Sequence, residues 1–179
     1  MDLTNVFRRP WIIVGALIIV AVWGWYRCFL FPVEVTTVFI TRHAEKVDSS
    51  ADPPLSAAGQ ARADELARVL TDEGIDAVFV TEFIRTQQTG AALAAGAGVT
   101  PQQYSASDAQ GVADTIIANH GGDRVLVVGH STTVDDIAAA LGAAGLSDLG
   151  EDHFDRLFVV HRFAGVAHLD QLRFGVVTP

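Results

Sequence analysis

Residues 11–31 read WIIVGALIIVAVWGWYRCFLF, a run of 21 residues with Arg27 as its one charge. As a helix at ~1.5 Å per residue it extends about 31 Å, close to the ~30 Å hydrocarbon core of a bilayer. Trp11 stands at one end and Trp23, Trp25 and Tyr26 near the other, where interfacial aromatic belts are expected. Arg27 is close enough to the far end to snorkel into the headgroups. A cleaved signal peptide needs a short apolar core and a small-x-small site, which Trp25-Tyr26-Arg27-Cys28 does not offer. A lipoprotein signal needs small residues before its cysteine, and a core helix rarely spends three tryptophans. The run is therefore read as a single-pass transmembrane anchor behind a short tail, residues 1–10. Arg8 and Arg9 in the tail hold the N-terminus in the cytoplasm by the positive-inside tendency, so the rest of the chain is expected on the extracytoplasmic (periplasmic) side. Pro32 ends the helix and strand-like sequence starts by Val35, so the following domain should sit close to the membrane.

Residues 35–179 are enough for one domain with a sizeable core. Three of the 12 basic residues (Arg8, Arg9, Arg27) and two of the 21 acidic ones (Asp2, Glu34) precede it, leaving 9 against 19 and a net charge of −10. Such a domain is a poor counterion for nucleic acid, and its apolar content is too high for disorder. The one cysteine, Cys28, lies in the apolar run, so neither a disulfide framework nor a cysteine zinc site is available.

Strand and helix patterns alternate along these residues. Val35–Thr41 (VTTVFIT), Ala77–Val80 (AVFV) and Arg124–Val128 (RVLVV) are β-branched runs read as buried strands, with a shorter strand near Gln103–Ser105. Ser56 is a suitable N-cap for a helix carrying Ala63, Leu66, Ala67 and Leu70 on one face and ending near Gly74. Further helices are expected from about Phe83 to Ala95, from Asp108 to the Gly121-Gly122 stop, and over Thr133–Leu141. Leu157–Phe163 and Val166–Phe174 read as a hairpin turning at Ala164-Gly165. The expected fold is α/β: a mostly parallel sheet covered by helices on both faces, with a C-terminal antiparallel hairpin.

Ligands of an open α/β sheet bind beyond the carboxyl ends of its strands. Thr41-Arg42-His43-Ala44-Glu45-Lys46 follows the first strand, Thr81-Glu82-Phe83-Ile84-Arg85-Thr86 the second, and Gly129-His130-Ser131-Thr132 the RVLVV strand. Three strand ends thus deliver Arg42, His43, Arg85 and His130 to one edge of the sheet. Four groups that carry or donate positive charge suit a dianion, phosphate above all. Gly129 permits close backbone approach, and a helix beginning near Thr132 adds N–H groups aimed at an anion. His120, His153, His161 and His168 show no ligand spacing, so no metal site or other cofactor is expected.

With these residues in place, the chain is similar to the histidine phosphatase (phosphoglycerate mutase-like) superfamily, in particular its small bacterial members. TRHAEK resembles the family's Arg-His-Gly-Glu signature, PLSAAGQARADELARVL its Leu-Thr/Ser-x-x-Gly-x-x-Gln/Arg-Ala helix, TEFIRTQQT its Ser-x-x-x-Arg-x-x-Gln-Thr segment, and VLVVGHSTTV its late Gly-His motif. The four segments occur in the family's order between about residues 35 and 141. The resemblance implies that His43 is the nucleophile, forming a phosphohistidine, with Arg42, Arg85 and His130 holding the phosphoryl oxygens. Thr86 and Ser131 are read as helix caps. The long insertions of phosphoglycerate mutases are missing, which favours hydrolysis over mutase chemistry.

The resemblance leaves the proton donor to the leaving group open. The family's Gly after the nucleophile is Ala44, and Ser131 stands where the acid-phosphatase branch has Asp. Asp108, Glu45 and Glu82 are the candidate acids. If none serves, substrates with good leaving groups, such as phosphohistidine or acyl phosphates, are favoured. The chain is thus expected to be a membrane-anchored phosphatase acting without metal on a phosphorylated small molecule, lipid or protein. Two alternatives come from other classes. A catalytically silent phosphate-binding module would keep the anion pocket, and a serine hydrolase would use Ser131 in the near-elbow Gly129-His130-Ser131-Thr132-Thr133 with Asp152 and His153.

Overall fold

Parallel strands buried on both faces must be apolar on both faces, and the β-branched runs meet that demand. In the computed structural model, which describes Val14 and residues 17–23, 34–146 and 149–178, they form β1 (Thr36–Arg42), β2 (Ala77–Thr81) and β4 (Arg124–Gly129). With β3 (Gln102–Tyr104), β5 (Arg156–Phe163) and β6 (Val166–Arg173) they make a six-stranded sheet of order β3-β2-β4-β1-β5-β6. The first four strands in that order are parallel, and β5 and β6 join antiparallel at the β1 edge. The β5–β6 turn places both Ala164 (φ 47°) and Gly165 (φ 84°) in the left-handed region, the geometry that matches the twist of a two-residue hairpin.

Alternate residues of each strand feed two cores. On one side Val38, Ile40, Phe79, Val125, Val127, Phe158 and Val160 meet α3 (Ala109–Asn119) and α4 (Val134–Ala140). On the other, Phe39, Val78, Val80, Leu126, Val128, Leu157 and Val159 meet α1 (Ala57–Leu70) and α2 (Ile84–Ala97). The two-residue period of a strand and the two-sided cover explain each other.

Ser56 caps α1 through its hydroxyl, which accepts from the Gly59 N–H at 3.1 Å. Gly59 has no alternative at that position, because a Cβ there would overlap the Glu45 carbonyl oxygen. Asp108 caps α3 by accepting from the Gly111 N–H at 2.9 Å. Several expected boundaries move by a few residues, two of them for a visible reason. The first helix ends at Leu70, where its apolar face ends, and Gly74 (φ 64°) turns the chain toward β2 instead of closing the helix. β1 runs one residue further than expected, because Arg42 still pairs with Gly129 of β4.

The chain divides into two compact units, Met1–Glu34 and Val35–Pro179. Of the expected anchor, residues 11–31, only Val14 and residues 17–23 are described; they are helical, and the rest lies outside the described residues. Among the described residues no helix is long and apolar enough to cross a membrane.

The packing makes a direct prediction. Leu126→Ala, at a fully buried site on β4, should lower unfolding free energy by about 2–5 kcal/mol. Val166→Ala on the exposed hairpin should change it by less than about 0.5 kcal/mol. Urea unfolding of the full chain and the two variants measures both.

Candidate active site

The β1–β4 ladder ends with Arg42 opposite Gly129, and the His43 N–H donates to the Gly129 carbonyl at 3.0 Å. The next residues on the two strands, His43 and His130, therefore come side by side, their rings 5.4 Å apart edge to face. β2 lies on the other side of β4, and the turn after it starts α2 with Arg85 in its first turn. Thr89 of α2 closes this arrangement: its hydroxyl accepts from the Ala44 N–H at 3.0 Å and donates to the Arg85 carbonyl at 2.7 Å. The segment after β1 is thus tied to the helix that carries the second arginine.

These groups line one cavity of about 320 Å3 with Lys46, Phe83, Ala106, Ser131, Thr132, Thr133 and Glu151. All four residues expected from the strand ends, Arg42, His43, Arg85 and His130, are in it. Each guanidinium lies on an aromatic ring, Arg42 4.2 Å from the centroid of Phe154 and Arg85 4.2 Å from that of Phe83. Such stacking holds a cation in place without occupying all of its donors. The Nε atoms of Arg42 and Arg85 are buried and have no hydrogen-bond partner among the described residues. Arg42 NH1 donates to the carbonyls of Gly150 (3.0 Å) and Glu151 (2.6 Å), and Arg85 NH1 lies 3.7 Å from the Asp52 carboxylate.

His43 is 4% exposed, and its Nδ1 lies 2.8 Å from its neighbour's carbonyl, Ala44 O. A carbonyl only accepts, so Nδ1 carries the proton and the lone pair of the neutral ring is on Nε2. Burial, reinforced by the charges of Arg42, His130 and Arg85 against the Ala44 hydrogen bond, pushes the His43 pKa down to about 3. Burial and Arg85 likewise push His130 down to about 4. Both rings are therefore neutral near pH 7, and His43 offers an unprotonated nitrogen to an electrophile. His130 Nε2 is 3.1 Å from Thr81 Oγ1, which is 2.9 Å from Thr86 Oγ1, so a buried threonine pair orients the second ring.

Several expectations are corrected by these contacts. Thr86 is not a helix cap: its fully buried hydroxyl donates to the Phe83 carbonyl and accepts from the Thr81 N–H, stapling the turn between β2 and α2. Ser131 is not the N-cap of the following helix, which is Thr133; it lines the cavity, while Thr133 Oγ1 accepts from the His130 N–H. Gly129 makes room for protein rather than ligand, since a Cβ there would crowd Thr133 Oγ1 and Tyr104 OH. The helix after His130 starts at Val134, is seven residues long and already has Asp135 and Asp136 in its first turn, so its dipole faces its own carboxylates. No hydrogen bond joins Ser131 to Asp152 or His153 among the described residues; His153 Nδ1 instead pairs with the Gly150 N–H at 3.3 Å, so no serine triad forms.

The three candidate acids are all engaged elsewhere. Glu45 grips Arg62 through Nε and NH2 at 2.7–3.0 Å, Asp108 is the α3 cap, and exposed Glu82 accepts from the Ala106 N–H at 2.9 Å. None of them lines the cavity. Phe154 and Glu151, both from the segment before β5, carry no local sequence signal, because they lie far along the chain from every strand-end motif. Among the described residues no group of three or more His, Cys, Asp or Glu has the arrangement of a metal site.

Residues 38–107 match the family model described as the histidine phosphatase superfamily (branch 1). No curated protein matches the sequence significantly. Among solved structures, the protein histidine phosphatase SixA, complexed with tungstate, is 23% identical with a TM-score of 0.61, over 76% of this chain and 96% of that one. Bacillus stearothermophilus YhfR is 17% identical with a TM-score of 0.63, over 75% and 95%. The mycobacterial glucosyl-3-phosphoglycerate phosphatase is 15% identical with a TM-score of 0.60, over 79% and 100%. At these identities the structures establish a shared fold. The family match covers residues 38–107, which include Arg42, His43 and Arg85.

The lowered histidine pKa values predict how stability responds to acid. Between about pH 6.5 and the folded values near 3 and 4, the unfolded chain binds protons that the folded site refuses, so stability falls as pH drops through this window. His43→Asn and His130→Asn should each flatten that dependence in urea unfolding between pH 7 and 4. An unchanged slope in both variants would show that the folded rings titrate near 6.5.

Proposed function

We propose that this chain is a membrane-anchored phosphatase that hydrolyses a phosphomonoester or a phosphoprotein through a phosphohistidine on His43. One observation carries the reading: a neutral imidazole with its Nδ1 proton engaged by Ala44 O stands in a cavity shared with two arginines and a second histidine. Nε2 of His43 attacks phosphorus, and the bond from phosphorus to the leaving group breaks. Water then attacks the phosphohistidine, and the N–P electron pair returns to the ring. Arg42, Arg85 and His130 hold the equatorial oxygens, and their fixed positions stabilise the charge that develops there. The planar forks of Arg42 and Arg85, braced on Phe154 and Phe83, suit oxyanion binding. Two structural neighbours, the protein histidine phosphatase SixA and a mycobacterial glucosyl-3-phosphoglycerate phosphatase, are in keeping with this substrate class. The reaction needs no metal.

Residues 1–10 form a short cytoplasmic tail, residues 11–31 the single-pass anchor and residues 35–179 the catalytic domain, which faces the extracytoplasmic side. The length and aromatic flanks of the apolar run, with Arg8 and Arg9 before it, support this arrangement.

Phosphate release from p-nitrophenyl phosphate in the presence of EDTA tests the chemistry. The parent should turn over and His43→Ala should not, while Arg42→Ala and Arg85→Ala should each lose about 10²–10³-fold in kcat, equivalent to about 2.7–4 kcal/mol. Full turnover by His43→Ala would overturn the nucleophile. Vanadate binding by a parent that fails to turn over would point to a silent phosphate-binding module. For topology, a reporter fused after Pro179 should be active on the extracytoplasmic side alone; cytoplasmic activity would reverse the orientation.

A further inference from the structure

His43 attack leaves electron density on the departing oxygen, and a carboxylic acid is the usual source of the proton that neutralises it. Glu45, Glu82 and Asp108 are committed to other partners and stand outside the cavity. Asp52 accepts from the Ile84 N–H at 2.9 Å and lies beside Arg85, outside the lining. Among the described residues, Glu151 is the one acidic residue that lines the cavity with His43, and no hydrogen bond engages its carboxylate. Its backbone is held by an arginine of the same cavity: Arg42 NH1 donates to the Glu151 carbonyl at 2.6 Å and to the Gly150 carbonyl at 3.0 Å. The arginine that binds the phosphoryl group therefore also fixes the root of this side chain. Glu151 is exposed, which places it on the solvent side of the cavity, where a leaving group departs.

We propose that Glu151, from the segment before β5, is the general acid and base of the reaction, an assignment that rests on the phosphohistidine reading above. As His43 Nε2 forms its bond to phosphorus and the P–O bond breaks, the Glu151 carboxyl gives its proton to the departing oxygen, releasing an alcohol and leaving a carboxylate. That carboxylate then takes a proton from the water that attacks the phosphohistidine, which restores the acid as the N–P bond breaks. The site thereby becomes able to hydrolyse alkyl and aryl monoesters as well as phosphoramidates and acyl phosphates, whose leaving groups need little help.

Leaving-group dependence tests the assignment in the full chain. The probes are phenyl phosphate, with a poor leaving group, and 2,4-dinitrophenyl phosphate, with a good one. Glu151→Gln should lose about 10²–10⁴-fold in kcat on phenyl phosphate and less than about tenfold on dinitrophenyl phosphate. Glu82→Gln should keep the parent's ratio between the two substrates. Equal losses on both substrates in Glu151→Gln, no loss on either, or the leaving-group effect appearing in Glu82→Gln would each overturn the proposal. Turnover of dinitrophenyl phosphate that survives His43→Ala would overturn the underlying phosphohistidine reading instead, and with it this role for Glu151. Thermal unfolding of the isosteric Gln variant separates loss of the proton from loss of the fold.

Discussion

The parallel pairing of β1 with β4 is the constraint on which the site depends. Because Arg42 stands opposite Gly129 and the His43 N–H is bonded to the Gly129 carbonyl, the two histidines that follow cannot avoid each other. A one-residue slip would send Val38 and Ile40 to the opposite core and exchange the outlets of the two strands. The register is held by fully buried residues on both faces, Val38, Ile40, Val125 and Val127 toward one pair of helices, Leu126 and Val128 toward the other. The packing energy of the core thus fixes the positions of polar groups at its rim.

At that rim the design is one of burial without neutralisation. Arg42 is 5% exposed, yet it is met by carbonyls and an aromatic face rather than by a bonded carboxylate. A bonded carboxylate would have cancelled its charge before a substrate arrived. Burial favours the uncharged forms of both rings, so His43 keeps a free lone pair near pH 7 without a base to remove its proton. Glu45, two residues after His43, is drawn out of the site altogether: Arg62 holds it and also donates to the carbonyls of Phe174 and Val176, so this ion pair clasps the C-terminal segment.

Much of this is visible in the sequence because the chemistry follows strand ends, and the strands announce themselves as β-branched runs. That Arg42, His43, Arg85 and His130 meet in one cavity could be read from the strand ends alone, as could Ser56 as a cap. The supporting residues could not. Phe154 beneath Arg42 and Glu151 beside it belong to a segment whose contacts with Arg42 span 108 and 109 residues, and no local pattern marks such a partner. Thr86 illustrates a different failure. Its place near a helix start suggests a cap, whereas its burial assigns its hydroxyl to Thr81, and through Thr81 to His130. For the apolar run 11–31, length and flanks alone support the anchor, since most of it lies outside the described residues.

The central claim is that phosphorus becomes bonded to His43. The most direct measurement is to mix the full chain with substrate, quench in alkali during the first turnover, digest, and locate the phosphate by mass spectrometry. The account predicts an acid-labile phosphate on the peptide bearing His43, attached through a ring nitrogen. Phosphate found on Ser131, or rapid turnover with no phosphorylated peptide at any time, would contradict it.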